Sequence, residues 1–256
     1  MDIANTIAVI TGGASGLGQA TAGAIVAKGG KVMILDRDEA KAAQVVADLG
    51  ERAAYVVCDV TDAASVEAAI KATIDKFGSL NVCVNCAGVG SAMKTVGREN
   101  KPHDLGVFEM VVKINLIGSF NVLRLAAAAM AENTAGDDNE RGLIVNTASV
   151  AAFDGQVGQV AYSATKGGVV GMTLPIARDL APLGIRCNTI APGIFNTPLM
   201  NAAPDKVKQP LIEMTQFPKR LGHPPEFAAL VCHMIENSFM NGETIRLDGG
   251  IRMQPR

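Results

Sequence analysis

Short apolar runs alternate with helical stretches along almost the whole of this chain of 256 residues. The runs are apolar throughout, which is typical of strands that a parallel sheet buries on both faces. No linker-like change in composition interrupts the alternation, so a single domain over residues 1–256 is predicted. The predicted fold is α/β and doubly wound, a seven-stranded, mainly parallel sheet with helices on both faces. The predicted strands are 7–10, 31–35, 53–57, 82–85, 143–146, 186–190 and 243–247.

Two irregular stretches, 91–105 and 196–222, follow the predicted fourth and sixth strands. Ligands bind beyond the carboxyl ends of strands in such sheets, so both stretches are expected beside a ligand site, with 196–222 as the substrate loop. The polar stretch 133–142 is expected to be an exposed loop without a catalytic role. The predicted helices are 16–28, 39–49, a helix that Thr61 caps and that runs to Phe77, 108–132, 162–180 and 226–235.

Charge and cysteine usage exclude several classes of protein. The 23 basic and 25 acidic residues are interspersed, so no nucleic-acid partner is expected. No run approaches the roughly 18 apolar residues of a membrane span, so none is expected. Five scattered cysteines and three isolated histidines form no evident ligand set, so no metal site is expected. Cys83 and Cys86 are interpreted as buried free thiols, with a redox or zinc pair as the alternative.

A glycine-rich segment, Thr11 to Gly18, joins the first strand to the first helix. Gly12, Gly16 and Gly18 permit a tight turn and let backbone N–H groups approach a pyrophosphate at the helix N-terminus. Their spacing differs from the Gly-x-Gly-x-x-Gly of other dinucleotide-binding folds, and a plain turn is the alternative. The strand–turn–helix context favours a Rossmann-type dinucleotide site.

An acidic residue, Asp36, ends the second strand. A carboxylate at this position can bind both hydroxyls of an adenosine ribose and repels a 2′-phosphate. The glycine-rich segment contains no Arg or Lys to bind that phosphate, although Arg37 is adjacent. NAD is therefore predicted over NADP, with a solvated strand-end acid as the alternative.

Three weaker signals follow later strands. Asp59 could meet the adenine amino group, or could cap the next helix. The small residues Cys86, Ala87 and Gly88 would leave room for the ribose and nicotinamide of a cofactor, or form a simple turn. Pro192 opens a rigid turn that suits the nicotinamide end, with Thr197 able to bond the carboxamide; the alternative is an ordinary proline-rich loop.

The candidate catalytic residues are Tyr162, Lys166, Ser149 and Asn115. Tyr162 and Lys166 stand at i and i+4, where they share one helical face. An ammonium near a phenol lowers the phenol pKa from about 10 and makes it a usable acid/base near neutral pH. The hydroxyl of Ser149 could hold a carbonyl or alcohol oxygen beside it. Asn115 interrupts an apolar helical stretch and needs a partner if buried; an ordinary buried amide is the alternative.

Together these residues resemble the short-chain dehydrogenase/reductase family over about residues 7–250, including the Leu-Asp-Gly-Gly ending at 247–250. Within the family, stretches 146–153, 171–182 and 246–255 are most similar to the branch of 3-hydroxyacyl-CoA and 17β-hydroxysteroid dehydrogenases. Cys86, where many members carry a second Asn, points to the same branch.

The resemblance implies a role for each matching position. Tyr162 is the general acid/base, Lys166 lowers its pKa and binds the nicotinamide ribose, Ser149 orients the substrate oxygen, and Asn115 supports a proton-relaying water chain. The family pattern also implies a homotetramer built on the long helices after strands four and five. The residues implied to contact NAD are Ser15, Leu17, Asp36, Asp59, Val60, Cys86 and Phe195.

The expected function is NAD-dependent interconversion of 3-hydroxyacyl-CoA and 3-oxoacyl-CoA. An NADP-dependent 3-oxoacyl-carrier-protein reductase is one alternative, which Asp36 and the C-terminal stretch oppose. A steroid or other secondary-alcohol dehydrogenase is another, and a non-catalytic scaffold is a third. The scattered cysteines and the lack of a basic, apolar leader favour a reducing compartment, the cytoplasm in a bacterium. The resemblance adds the mitochondrial matrix as the expectation in a eukaryote.

Overall fold

A computed structural model describes residues 1–201 and 204–255 and contains one sheet in the order β3-β2-β1-β4-β5-β6-β7. Every neighbouring pair is parallel, so the predicted seven-stranded sheet is confirmed and contains no antiparallel strand. The strands are β1 (Ile7–Thr11), β2 (Lys31–Asp36), β3 (Ala53–Val57), β4 (Val82–Asn85), β5 (Gly142–Thr147), β6 (Ile185–Pro192) and β7 (Thr244–Leu247).

Helices cover both faces of the sheet and bury each of them. Along β1, Ala8 and Ile10 pack into one core while Val9 packs into the opposite one, because successive side chains of a strand alternate between faces. The helices are α1 (Gly16–Ala27), α2 (Glu39–Leu49), α3 (Ala63–Phe77), α4 (Leu105–Val112), α5 (Ser119–Ala131), α6 (Val160–Leu180), α7 (Pro198–Asn201), α8 (Asp205–Met214) and α9 (Pro224–Glu236).

The strand order reverses between β1 and β4, which are neighbours in the sheet but not in the sequence. Connections leave these two strands in opposite directions, and a crevice opens at their carboxyl ends. The glycine-rich segment follows β1 and the Asn-Cys-Ala-Gly segment follows β4, so both lie at this crevice.

Three local predictions were wrong. Asp62 caps α3, because its carboxylate accepts from the N–H of Ala64 at 3.0 Å, while Thr61 donates to Asp59 instead. The stretch 133–142 is not wholly exposed, because Glu140 is buried in an ion pair with Arg186 at 2.6 Å. The irregular stretch 196–222 contains α7 and α8.

The predicted long helix 108–132 begins earlier and is interrupted. Asp104 accepts from the N–H of Gly106 at 2.8 Å and so starts α4 at Leu105. A π-helical turn, Lys113–Gly118, separates α4 from α5. By length and composition Leu105–Ala131 could cross a membrane, and half of its most apolar window is buried inside the fold.

Candidate active site

A cleft of about 350 Å³ lies at the carboxyl ends of β1 to β4. Gly12 has φ +64°, and a Cβ at this position would lie 2.9 Å from the backbone N of Ala87. A Cβ on Gly18 would overlap the carbonyl oxygen of Gly12. The close approach of these backbones therefore requires glycine. The predicted residues that line this cleft are Gly12, Ser15, Gly16, Leu17, Gly18, Asp36, Asp59, Val60, Cys86, Ala87, Gly88 and Thr197.

The carboxylate of Asp36 is fixed at the edge of this cleft. Its Oδ2 accepts from the N–H of Ala14 at 3.1 Å, and its Oδ1 accepts from the N–H of Asp38 at 3.1 Å. The carboxylate is therefore oriented by the backbones of the glycine-rich segment and of the turn before α2. Arg37 lines the same cleft, so one cation lies beside the anion.

Asp59 also lines the cleft, and it is bonded locally. Its Oδ1 accepts from the N–H of Thr61 at 2.9 Å and from the hydroxyl of Thr61 at 2.8 Å. These two hydrogen bonds hold the pKa of Asp59 below its usual value. Asp59 therefore stabilises a turn before α3 and does not cap the helix, while still facing the cleft.

A second cavity of about 500 Å³ joins the first, because Leu17, Cys86, Gly88 and Thr197 line both. It brings together Ser149, which follows β5, and Tyr162 and Lys166 on α6. Ser149 and Lys166 are both buried. The predicted residues Pro192 and Phe195, from β6 and the turn after it, form another part of its wall.

The phenol of Tyr162 and the hydroxyl of Ser149 are hydrogen-bonded. Burial raises the pKa of Tyr162, and the hydrogen bond from Ser149 opposes that shift. Ser149 in turn accepts from the N–H of Ala151 at 3.1 Å, so its orientation is fixed. Burial therefore decides the net direction of the Tyr162 pKa in this structure, and the lowering of that pKa by Lys166 stays a prediction.

The ammonium of Lys166 donates to the carbonyl oxygen of Thr147 at 2.7 Å. It lies 5.7 Å from the centroid of the Tyr162 ring. Burial lowers the pKa of Lys166 to about 8. A buried cation that burial destabilises, lying beside a phenol, is typical of a functional site.

Asn115 lies in the π-helical turn and is fully buried. Its Oδ1 accepts from the N–H of Val89 at 2.8 Å, and its Nδ2 donates to the carbonyl oxygen of Val89 at 2.9 Å and to the hydroxyl of Thr165 at 3.3 Å. Because Val89 lines both cavities, Asn115 holds the wall between them. Its amide has the partners that burial requires, and the relay role stays a prediction.

A family model described as short chain dehydrogenase matches residues 6–208. The chain belongs to the short-chain dehydrogenase family. It is 54% identical to a Bos taurus protein and 52% identical to a Homo sapiens protein, both named 3-hydroxyacyl-CoA dehydrogenase type-2. Each alignment spans 250 residues and covers 97% of this chain and 96% of the relative. The chain is therefore an oxidoreductase.

Two solved structures share the architecture of this chain. A 3-hydroxyacyl-CoA dehydrogenase type-2 from Mycobacterium avium is 42% identical with a TM-score of 0.93, covering 98% of this chain and 97% of its own. A 3-ketoacyl-(acyl-carrier-protein) reductase from Brucella melitensis, complexed with NADH, is 30% identical with a TM-score of 0.86, covering 98% and 100%. The family and this complex indicate a nicotinamide cofactor.

The cysteines of this short-chain dehydrogenase are free thiols. The Sγ of Cys86 accepts from the hydroxyl of Thr147 at 3.6 Å, and burial raises the pKa of Cys86 to about 11. Burial raises the pKa of Cys83 further. Neither thiol is therefore activated. Across residues 1–201 and 204–255, no group of three or more His, Cys, Asp or Glu side chains is placed to hold a metal ion.

Sequence reasoning missed several residues that line the two cavities of this dehydrogenase. Gln159 precedes α6 and could have been found from its position one helical turn before Tyr162. Val89 and Ile114 flank predicted positions but are apolar and carry no motif. Met253 lies near the end of the chain and reaches the cavity only through tertiary folding, so no local signal predicts it.

Proposed function

We propose that this chain is an NAD-dependent dehydrogenase that interconverts 3-hydroxyacyl-CoA and 3-oxoacyl-CoA. The observation that carries the proposal is the convergence of Ser149, Tyr162 and Lys166 in one cavity that joins the cleft beside the glycine-rich segment. The names of relatives more than 50% identical over nearly the whole chain support the thioester class. The fixed carboxylate of Asp36 supports NAD over NADP.

The residues at the cleft fit a nicotinamide dinucleotide. The close-packed backbones at Gly12 and Gly18 would let a pyrophosphate approach the N-terminus of α1. Asp36 would hold the adenosine ribose, and Lys166 would hold the nicotinamide ribose. The bound cofactor supplies the hydride acceptor in one direction and the hydride donor in the other.

The proton chemistry belongs to Tyr162 and Ser149. In the reductive direction the phenol of Tyr162 donates its proton to the carbonyl oxygen of the substrate, which Ser149 holds by a hydrogen bond. Since burial raises the pKa of Tyr162, the phenol is protonated at neutral pH and ready to donate. Lys166 then stabilises the phenolate that remains, and Asn115 keeps the segment at Val89 in place.

A steady-state panel tests the proposal against its rivals. NADH and NADPH are each assayed with acetoacetyl-CoA, longer 3-oxoacyl-CoAs, a 3-oxoacyl carrier protein and a keto-steroid. We expect the highest kcat/KM with NADH and a CoA thioester. A preference for NADPH and the carrier protein would favour the reductase, and turnover of the steroid alone would favour the secondary-alcohol dehydrogenase. No turnover with any ketone would favour the hypothesis of a non-catalytic scaffold.

Replacing Asp36 with alanine is expected to change the cofactor preference. The variant loses charge-assisted hydrogen bonds worth about 1.5–3 kcal/mol each, so kcat/KM with NADH should fall by at least about 10-fold. The ratio of kcat/KM for NADPH to that for NADH should rise, because a 2′-phosphate no longer meets an anion. Steady-state kinetics with both cofactors measure this. Asp38→Ala, whose side chain caps α2, is the control and should keep the wild-type ratio. An unchanged ratio in Asp36→Ala would count against the predicted NAD preference.

We infer a homotetramer in which the face of α4, α5 and α6 is an interface. Met110, Ile117 and Phe120 on α4 to α5, and Val160 and Leu174 on α6, are each 44–52% exposed. Contiguous apolar side chains on a surface mark association sites. Phe120→Glu is expected to reduce the sedimentation mass to that of a smaller species. Val96→Glu, at another exposed apolar residue, should leave the mass unchanged. A wild-type monomer at micromolar concentration would refute the inference.

A further inference from the structure

We propose that the C-terminal segment Ile251 to Pro255 forms one wall of the substrate cavity and that Met253 determines which acyl chains enter it. The inference rests on the proposed function, since it concerns the acyl group of that substrate. Met253 lines the same cavity as Ser149 and Tyr162 although it is remote from them in sequence. It does not line the cleft beside Asp36.

Hydrogen bonds fasten the segment to two other parts of the chain. The carbonyl oxygen of Gln254 accepts from the side-chain amide of Gln156 at 2.9 Å. The carbonyl oxygen of Pro255 accepts from the N–H of Val157 at 3.0 Å. On the other side, the N–H of Gln254 donates to the Sδ of Met214, at the end of α8, at 3.4 Å. The chain end thus bridges the turn before α6 and the substrate loop.

Arg246 ties the base of this segment to the catalytic stretch. Its guanidinium pairs with Asp154 at 2.6 Å and with Asp248 at 2.8 Å, and it donates to the carbonyl oxygen of Ile251 at 3.0 Å. It also lies 5.1 Å from the ring centroid of Phe153. Because Phe153 and Asp154 directly follow the Ser149 turn, Arg246 links the serine side of the cavity to the C-terminal wall.

Burial confirms that this wall is packed at its base and open to the cavity at its end. Ile251 is fully buried, while Met253 is half-buried. The side chain of methionine is unbranched and flexible, so it can fill irregular space beside a ligand. The polar groups Ser149 and Tyr162 occupy the reacting end of the cavity, so an apolar wall residue acts on the acyl chain rather than on the carbonyl.

The test is the chain-length profile of kcat/KM in Met253→Trp, Met253→Ala and the control Lys76→Ala. One methylene in an apolar pocket changes kcat/KM by about 10-fold or more. Met253→Trp should therefore lower kcat/KM for long relative to short 3-oxoacyl-CoAs by about tenfold, mainly through KM, and Met253→Ala should shift the profile towards longer chains. Lys76→Ala should match the wild type, since this exposed lysine of α3 lines neither cavity.

Titration of NADH by fluorescence provides the second readout. Both Met253 variants should bind NADH within about twofold of the wild type, which also establishes that they are folded. A wild-type enzyme that turns over acetoacetyl-CoA, together with unchanged profiles in both Met253 variants, overturns this inference and leaves the proposed function standing. A wild-type enzyme inactive on every 3-oxoacyl-CoA overturns both.

Discussion

Replacing Tyr162 with phenylalanine is expected to lower kcat for acetoacetyl-CoA reduction by about 10²–10⁴-fold, the usual contribution of a positioned general acid. The phenyl ring keeps the packing of the phenol on α6 and removes only the hydroxyl that bonds Ser149. NADH binding should persist, because Tyr162 lies in the substrate cavity and not beside the glycine-rich segment. Stopped-flow or steady-state loss of NADH absorbance measures kcat, and fluorescence titration measures binding.

The chain offers a matched control, because it contains only one other tyrosine, Tyr55 on β3. Tyr55 packs against the hydrophobic core and lines neither cavity. Tyr55→Phe should therefore keep the wild-type kcat. If Tyr162→Phe kept more than a tenth of the wild-type kcat, the proton would have to come from another group, and the assignment of Tyr162 would be refuted.

The sheet and the nucleotide cleft were predictable because their signals are local. A continuous apolar run followed by glycines at fixed positions describes β1 and its turn, and Asp36 stands at a strand end that the pattern itself locates. Tyr162 and Lys166 share a face because the helix is regular around them. For these features, sequence neighbours are also spatial neighbours.

The features that could not be predicted depend on partners distant in sequence. In the π-helical turn at Asn115 the backbone hydrogen bonds differ in register from those of an α-helix. The turn occurs where the side chain of Asn115 is hydrogen-bonded to the backbone of Val89, which is distant in sequence. Burial of Glu140 requires Arg186, which also donates to the carbonyl oxygen of Met234. The pKa of Tyr162 rises because of burial, which the spacing of Tyr and Lys does not reveal.

Replacing Lys166 with methionine is expected to lower kcat by about 10²–10³-fold, as does the loss of one preorganised electrostatic group in an active site. Methionine has a similar length and keeps the contact with the wall of the cavity. It removes the cation that lies 5.7 Å from the Tyr162 ring centroid and the donor to Thr147. Without that cation the phenolate left after proton transfer has no positive partner. Steady-state kcat with saturating NADH measures the effect, and Lys76→Met, at an exposed lysine of α3, should leave kcat unchanged.

The Lys166→Met variant should also show how the buried lysine affects the free energy of unfolding. Burial lowers the pKa of Lys166 to about 8, whereas an unfolded lysine titrates at about 10.4. Below about pH 8 Lys166 is charged in both states, and burial of that charge destabilises the folded protein. Between about pH 8 and pH 10 the folded lysine is neutral while the unfolded one still binds a proton, so the stability of the folded protein rises with pH. The free energy of unfolding of the wild type, relative to Lys166→Met, should therefore rise with pH in this window by at most about 1.4 kcal/mol per unit. Urea unfolding of both proteins at pH 7 and pH 9.5 measures it. A difference between the wild type and Lys166→Met that stays constant with pH would mean that Lys166 keeps an ordinary pKa in the folded protein and that burial does not disfavour its ammonium.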